Sequence, residues 1–323
     1  MPYAIRLDKI GGPENLKWVE VPLASPGPGE VLVRNTAIGL NYIDTYFRSG
    51  LYPTPLPAIL GMEGAGRVEK IGPGVRDLKP GDRVAYASPI GAYCEVLLRP
   101  ADRLVKIPDA IDDKTAAAIM LKGMTAWYLL RRTFPVKPGQ RILMHAAAGG
   151  VGLILCQWAA QIGVEVIGVV GSEEKANLAR KAGCAHVIIS ARENFVERVK
   201  EITKGEGVPV VYDGVGKETF MGSLECLSVR GLMVSFGNAS GPVPPFDIGI
   251  LGQKGSLFLT RASLAHYTSK REDLLAAASE LFSVIASGGV KIFINQTYPL
   301  REAARAHQDL ESRKTTGSTV LLP

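Results

Sequence analysis

The sequence is poor in cysteine, in long apolar runs and in concentrated charge, and each shortage excludes a class of protein. Its four cysteines are widely separated and form no C-x-x-C pair, so no disulfide framework is expected and a zinc ribbon is excluded. These are Cys94, Cys156, Cys184 and Cys226. The longest apolar run, residues 142–156, is interrupted by His145 and three glycines, so no membrane span is predicted. Because the sequence begins without a basic segment followed by an apolar one, we expect a cytoplasmic protein without a secretory signal.

The charge is mild and spread along the chain. A net charge of +6 suits a protein with a site for an anionic small ligand. The densest basic cluster is the pair Arg131-Arg132, and no RNA-binding signature accompanies it. A separate nucleic-acid-binding module is therefore not predicted.

Two domains are expected, because 323 residues exceed one ordinary hydrophobic core. Residues 1–122 contain short β-like runs between Pro- and Gly-rich turns. Strands are predicted at 31–34, 66–71 and 83–86. This pattern indicates an antiparallel, mainly β, barrel-like domain.

Residues 123–262 alternate between strand and helix patterns, which is typical of an α/β fold with a doubly wound parallel sheet. The predicted strands are 141–145, 164–170, 186–189, 208–213, 231–236 and 257–260. Residues 263–323 contain two helical patterns and a last strand, 318–322. We expect this tail to return to the first domain.

A glycine-rich turn after the first of these strands carries the clearest functional signal. Residues 145–152 read His-Ala-Ala-Ala-Gly-Gly-Val-Gly and lead into a helical pattern. Against the template G-x-G-x-x-G, Ala147 takes the first glycine position, and Gly149 and Gly152 take the others. A strand, such a turn and a helix bring free backbone N–H groups and the positive helix end to one point, which suits a pyrophosphate. The sequence therefore predicts a dinucleotide site.

The end of the second strand indicates which dinucleotide is bound. An NAD site would carry Asp or Glu there for the ribose 2′-hydroxyl, but this chain has Gly171-Ser172. Ser172 offers a hydroxyl and Lys175 a cation one helical turn later, so NADPH is the predicted cofactor. The alternative is that Glu173 binds the ribose and Lys175 is an ordinary solvated helix residue.

The chain also resembles the medium-chain dehydrogenases/reductases, and within them the zinc-free quinone oxidoreductases, the group that includes zeta-crystallin. The segments that carry the resemblance are 11–16, 37–44, 46–53, 121–126, 146–152 and 231–238. The resemblance implies a GroES-like catalytic domain, a Rossmann domain with a cleft between the two, and reduction of a quinone or conjugated enone by NADPH. It also implies a homodimer, with residues 256–260 as an edge strand that pairs with its copy.

No metal is expected at the site. The zinc alcohol dehydrogenases use a Cys and the His of a G-H-E motif as ligands, and the corresponding positions here resemble Asn41 and Met62 of Gly61-Met62-Glu63. An amide and a thioether do not replace thiolate and imidazole around zinc. His145 and His186 lack ligand spacing and are predicted to be structural.

The resemblance places Asn41 beside the nicotinamide and Tyr46 and Tyr52 in the acceptor cleft, and these three are the predicted catalytic residues. A phenol can donate a hydrogen bond or a proton and can stack on a planar ring. From the residues alone, Tyr52 is equally compatible with packing on residues 53–57. Asp44 is predicted to cap a helix that begins near Thr45, in preference to a catalytic role.

Further cofactor contacts are implied on both domains. Together with Asn41, Ser172 and Lys175, the predicted set is Thr125, Tyr128, Gly149, Gly150, Val151, Ser190, Val215, Phe236, Gly237, Ser240 and Thr315. Ser190 departs from the tyrosine of similar proteins, since it can hydrogen-bond but cannot stack; Arg192 is near enough in sequence to compensate.

Two other functions stay open at this stage. One is reduction of a 2-alkenal or an enoyl thioester by the same fold. The other is a crystallin-like or single-stranded RNA-binding protein, in which the nucleic acid would compete with NADPH for its cleft.

Overall fold

The computed structural model describes all residues from 1 to 323, and the chain divides into two compact units. The first unit contains Met1–Met124, Thr268–Ala286 and Ile292–Pro323. The second contains Thr125–Tyr267 and Ser287–Lys291. The first unit is therefore built from both ends of the chain, and the second from its middle.

The first unit is mainly β. Its strands are β1 (Tyr3–Leu7), β2 (Leu16–Glu20), β3 (Glu30–Leu40), β4 (Ala58–Ile59), β5 (Glu63–Ile71), β6 (Arg83–Ala87), β7 (Val96–Pro100), β8 (Val105–Lys106), β15 (Ile294–Pro299) and β16 (Ser318–Leu322). Its helices are α1 (Tyr42–Ser49), α2 (Asp113–Tyr128, which runs into the second unit), α9 (Arg271–Ala286) and α10 (Ala303–Glu311). The larger sheet has the order β15-β16-β3-β5-β6-β8, with β7 also paired to β3, and the smaller one has the order β2-β1-β4.

β3 is the central strand of the first unit. It pairs antiparallel with β5, β7 and β16, and its apolar residues, such as Val31, Val33 and Ile38, are fully buried. β-Branched side chains pack well on such a pleated surface. The strand ends at Leu40, so its pairing fixes where the next residue, Asn41, lies.

The second unit is a six-stranded parallel sheet covered by helices. The strands are β9 (Arg141–His145), β10 (Glu165–Val170), β11 (His186–Ile189), β12 (Val208–Asp213), β13 (Leu227–Ser235) and β14 (Phe258–Arg261). The helices are α3 (Gly150–Ile162), α4 (Glu173–Lys181), α5 (Phe195–Ile202), α6 (Phe220–Glu225), α7 (Gly249–Gln253) and α8 (Leu264–Tyr267), and a π-helical turn at Leu129–Thr133 follows α2.

The order of this sheet is β11-β10-β9-β12-β13-β14, with β9 and β12 adjacent at its centre. This is the doubly wound Rossmann order, in which ligands bind at the carboxyl ends of the strands where the order reverses. The predicted Rossmann fold is confirmed. No helix in the chain has both the length and the apolar character needed to cross a membrane.

Candidate active site

The glycine turn forms an open backbone cradle at the start of α3. Gly149 is the N-cap of this 13-residue helix and no side chain caps it, so no protein side chain occupies the first-turn N–H groups. A Cβ on Gly152 would collide with the carbonyl oxygens of Ala146 and Ala147, the latter at 2.6 Å. The third glycine of the motif therefore lets the helix approach the turn that follows β9 closely, and the helix N-terminus is left open to an anion.

A buried polar network holds the loop after β12. The Asp213 carboxylate is fully buried and accepts the backbone N–H groups of Val215 at 2.8 Å and Gly216 at 3.0 Å. It also accepts the Ser223 hydroxyl at 3.0 Å, and Ser223 lies 2.9 Å from Nε2 of His145. Burial lowers the pKa of His145, which fits a neutral structural imidazole. Asp213 was not among the predicted site residues, although its position at the end of a predicted strand was a usable signal.

The loops after β12 and β13 pack closely on each other. A Cβ on Gly237 would overlap the carbonyl group of Gly214, and a Cβ on Gly214 would touch the Phe236 ring at 3.0 Å. The Ser240 hydroxyl donates to the Val215 carbonyl at 2.9 Å. The structure thus brings the predicted residues Val215, Phe236, Gly237 and Ser240 together at one edge of the parallel sheet.

Two serines stand at the ends of neighbouring strands β10 and β11. Ser172 is the N-cap of α4, and its hydroxyl oxygen accepts the Lys175 N–H at 3.3 Å. The Ser190 hydroxyl donates to the Val170 carbonyl at 3.2 Å. Glu173 forms ion pairs at 3.1 Å with Arg180 and with Arg192.

The remaining predicted cofactor contacts lie elsewhere. Thr125 and Tyr128 are buried near the end of α2, where Tyr128 stacks on Tyr267 with ring centres 4.5 Å apart and ring planes 3° from parallel. Burial raises the pKa of Tyr128. Thr315 is half-buried in the segment between α10 and β16 of the first unit.

In the first unit, the predicted catalytic residues lie on α1 and on either side of it. The helix begins at Tyr42, so the expected start near Thr45 is wrong, although Asp44 does take part in capping the helix. Asn41 is the N-cap, and Asp44 occupies the third helical position, where its carboxylate accepts the Asn41 N–H at 2.8 Å. An acid at this position completes a capping box from inside the helix, which is why the helix starts earlier than predicted.

Tyr46 and Tyr52 form an aromatic cluster beside this helix. Their rings meet edge to face with centres 5.3 Å apart, and Tyr52 also meets Phe47 at 5.7 Å. The Tyr52 N–H donates to the Tyr46 carbonyl at 3.1 Å, which folds the loop back onto α1. Tyr46 is 8% exposed and Tyr52 is half-buried. The structure brings the two phenols together.

A buried ion pair that was not predicted from the sequence contacts the Asn41 side chain. Glu63 is fully buried, and its Oε1 atom lies 2.5 Å from Nζ of Lys122 and 3.0 Å from Nδ2 of Asn41. Its other oxygen accepts the Leu121 N–H at 2.6 Å. The only sequence signal was the position of Glu63 directly after Met62, in the segment that corresponds to the zinc-binding G-H-E motif.

A second buried series of hydrogen-bonded side chains starts at Asp44. The Tyr93 hydroxyl donates to Asp44 at 2.9 Å and lies 3.0 Å from Nε2 of His307. Nδ1 of His307 lies 3.2 Å from Arg48, whose guanidinium forms a bidentate pair with Glu311 at 2.7 and 2.9 Å. Burial raises the pKa of Asp44 to about 7, and burial together with Arg48 lowers that of His307 to about 3. Both side chains are therefore neutral in mildly acidic solution.

The described side chains offer no metal centre, because no three His, Cys, Asp or Glu residues are grouped to hold an ion. Asn41 and Met62 occupy the positions compared with zinc ligands, and Asn41 bonds to Glu63. Amide and thioether groups are poor zinc ligands.

Comparison with known proteins assigns the family. The alcohol dehydrogenase GroES-like domain model matches residues 27–109, and the zinc-binding dehydrogenase model matches residues 150–282. This pairing of domains is the architecture of the medium-chain dehydrogenases/reductases. A quinone oxidoreductase of Pseudomonas aeruginosa is 56% identical over 325 residues, covering 100% of each chain.

A solved structure and a further relative agree with this family assignment. The crystal structure of Escherichia coli quinone oxidoreductase complexed with NADPH has a TM-score of 0.98 and 54% identity, covering 99% of this chain and 100% of that one. A 2-haloacrylate reductase of Burkholderia is 48% identical, covering 100% of this chain and 99% of its own. The chain belongs to the quinone oxidoreductase family of the medium-chain dehydrogenases/reductases, and it is an enzyme.

Proposed function

We propose that the protein is an NADPH-dependent, zinc-independent quinone oxidoreductase that passes reducing equivalents to a quinone or a conjugated carbonyl compound. The observation that carries this proposal is the uncapped start of α3 at Gly149, with Gly150 and Val151 in its first turn. That cradle fits a pyrophosphate, because backbone N–H groups and the helix dipole favour an anion there. The relatives named quinone oxidoreductases, and the one crystallised with NADPH, support the assignment.

Preference for NADPH over NADH is supported by the ends of β10 and β11. Ser172 and Ser190 place two hydroxyls there, of which that of Ser190 would turn from the Val170 carbonyl to donate to a phosphate, and Lys175 adds a cation on the first turn of α4. Glu173, the alternative ribose ligand, is already paired with Arg192 and a second arginine. A strand end without a carboxylate that binds the ribose 2′-hydroxyl does not repel a 2′-phosphate.

The other cofactor contacts are proposed on four segments. Val215, Phe236, Gly237 and Ser240 form a packed loop pair with little side-chain bulk, which suits close approach of a nucleotide to the backbone. Thr125 and Tyr128 on α2, and Thr315 before β16, complete the proposed set by their family resemblance.

The chemistry proposed for the first unit needs no metal. Bound NADPH supplies a hydride, which the acceptor takes together with one proton. Asn41, Tyr46 and Tyr52 are the proposed residues of the acceptor side. Hydroxyl donors at the oxygen that gains charge stabilise it, and Tyr46 and Tyr52 offer two phenols 5.3 Å apart between ring centres.

The proposal is tested with a panel of acceptors. Quinones, enones and enoyl thioesters are mixed with the purified protein and NADPH, and loss of NADPH absorbance is followed, with NADH as the matched control. Turnover of quinones with NADPH, and much slower turnover with NADH, is the expected result. Tight NADPH binding with no reduction across the panel would favour a binding protein instead, and competition by single-stranded RNA would then be measured.

A second candidate is reduction of a conjugated acid or thioester. The 2-haloacrylate reductase of Burkholderia, named for such an acid, favours it. The same panel with a 2-haloacrylate added separates the two, since a preference for the haloacrylate or for enoyl thioesters over quinones identifies this alternative.

We also propose a cytoplasmic homodimer related to zeta-crystallin. β14 is the edge strand of the parallel sheet, and its Phe258 is 56% exposed, which makes it a candidate for pairing with a second copy. The four cysteines are free, as expected in a reducing compartment. Light scattering of the wild type and of Phe258→Asp tests the dimer, which the charge should dissociate.

A further inference from the structure

Glu63 and Lys122 have no role in the proposed chemistry. Both are nevertheless buried, and Glu63 accepts a hydrogen bond from Asn41, one of the proposed catalytic residues. A buried ion pair is costly to desolvate and is weak evidence for stability by itself. Gly39 leaves room for this one, because a Cβ there would collide with the Glu63 carboxylate and with the Ala117 carbonyl. The first unit thus accommodates a buried charged pair in contact with the Asn41 side chain.

The hydrogen-bonding capacity of Asn41 shows what this pair does. Its amide nitrogen has two N–H groups, and these donate to Glu63 at 3.0 Å and to the Gly39 carbonyl at 3.4 Å. A carboxylate can only accept, so it fixes the nitrogen on its own side. The amide oxygen has two lone pairs, and the capping contact at the start of α1 uses at most one. Asn41 is therefore left as an acceptor for a ligand and not as a donor.

We propose that Glu63 and Lys122 are positioning residues that hold the Asn41 amide so that its oxygen accepts a hydrogen bond from the nicotinamide carboxamide. This inference rests on the proposed binding of NADPH. Lys122 pairs with one Glu63 oxygen, and the Leu121 N–H fixes the other. Asn41 then recognises the N–H of the cofactor ring substituent and contributes no donor to the acceptor oxygen.

The test compares NADP⁺ with its 3-acetylpyridine analogue, which keeps the carbonyl but has no N–H on that substituent. Dissociation constants of both are measured by quenching of tryptophan fluorescence. We expect the wild type to bind NADP⁺ several-fold to about tenfold more tightly than the analogue, the size of one hydrogen bond. Asn41→Ala should bind the two equally.

A double variant tests the positioning role itself. In Glu63→Gln/Lys122→Met neither charge of this pair is left buried without its partner, and the amide oxygen of the introduced glutamine is needed by the Leu121 N–H. The amide nitrogen of that glutamine then faces Asn41. The Asn41 amide should turn its oxygen toward this nitrogen, which leaves the Asn41 nitrogen facing the ligand. The preference for NADP⁺ should disappear or reverse, while binding of the adenine nucleotide half, measured with 2′,5′-ADP, stays as in the wild type.

Asp113→Asn is the matched control, because it breaks the other α2 ion pair, with Arg83 at 2.7 Å, without touching Asn41. It should keep the wild-type preference. If the double variant or Asn41→Ala discriminates as the wild type does, the inference is wrong while the proposed function stands. If the wild type binds neither dinucleotide, the proposed function fails and the inference fails with it.

Discussion

Replacing Asp44 should change how stability depends on pH, and replacing His307 should change it in the opposite direction. The folded protein holds the pKa of Asp44 at about 7, against an ordinary value of 3.8. It holds that of His307 at about 3, against 6.5. The charged groups around them are Arg48, Glu63 and Lys122, and all of these stay in place in the variants proposed.

The sign follows from the protons bound in each state. Between about pH 4 and pH 6.5 the folded chain has a proton on Asp44 and none on His307, whereas the unfolded chain has the reverse. The raised pKa of Asp44 gives stability that is present at low pH and is lost as pH rises toward 7. The lowered pKa of His307 has the opposite effect, since it decreases the stability of the folded protein progressively as pH falls below 6.5. In the wild type the two slopes cancel.

Each single variant should expose one slope of about 1.4 kcal/mol per pH unit, the value for one proton. Asp44→Asn should lose stability relative to the wild type on acidification from pH 6.5 to 4, by about 3 kcal/mol in total. His307→Gln should lose stability relative to the wild type as pH rises over the same window. Any loss that does not vary with pH, from broken hydrogen bonds, shifts each curve without changing its slope.

Urea unfolding at half-unit pH steps measures these differences, with the urea dependence required to match that of the wild type. Asp8→Asn, which changes an exposed carboxylate paired with Arg6, is the control and should run parallel to the wild type. A flat difference curve for Asp44→Asn, or slopes of the same sign for both variants, would refute the reasoning.

Three further predictions concern the proposed site. Gly152→Ala should weaken NADPH binding at least tenfold by titration, since its Cβ would push α3 away from the carbonyl groups of the turn after β9; unchanged affinity would contradict the cradle. Ser172→Ala and Lys175→Ala should each reduce the ratio of NADPH to NADH affinity about tenfold, and a constant ratio would remove them from the site. Tyr46→Phe and Tyr52→Phe should lower kcat with quinone by about ten- to a hundredfold with little change in NADPH affinity, and full turnover in both would exclude the phenols as donors.

The parallel sheet could be predicted because its signals are local. An apolar run such as 141–145 followed by Gly149 and Gly152 indicates a strand, a turn and a helix within a dozen neighbouring residues. The start of α1 was missed by three residues, because Asp44 suits the N-cap and the third helical position equally well in sequence.

The polar clusters could not be predicted, because their members are distant in sequence. Glu63 and Lys122 are 59 positions apart, and Tyr93 and His307 are 214 apart. Neither spacing is that of neighbouring residues on one helix or one strand, so no periodic sequence pattern indicates these contacts. The pKa of Asp44 likewise depends on desolvation by residues that only the folded sheet brings around it.

The pairing of β16 with β3 has a consequence for the order in which the chain folds during synthesis. Thr319 pairs with Leu40, the residue before Asn41, so the strand that positions Asn41 gains this neighbour only after residues 318–322 have left the ribosome. The second unit needs nothing beyond Lys291 and can form earlier. The unit that contains the glycine turn at residues 149–152 can therefore fold while the unit that contains Asn41 is still incomplete.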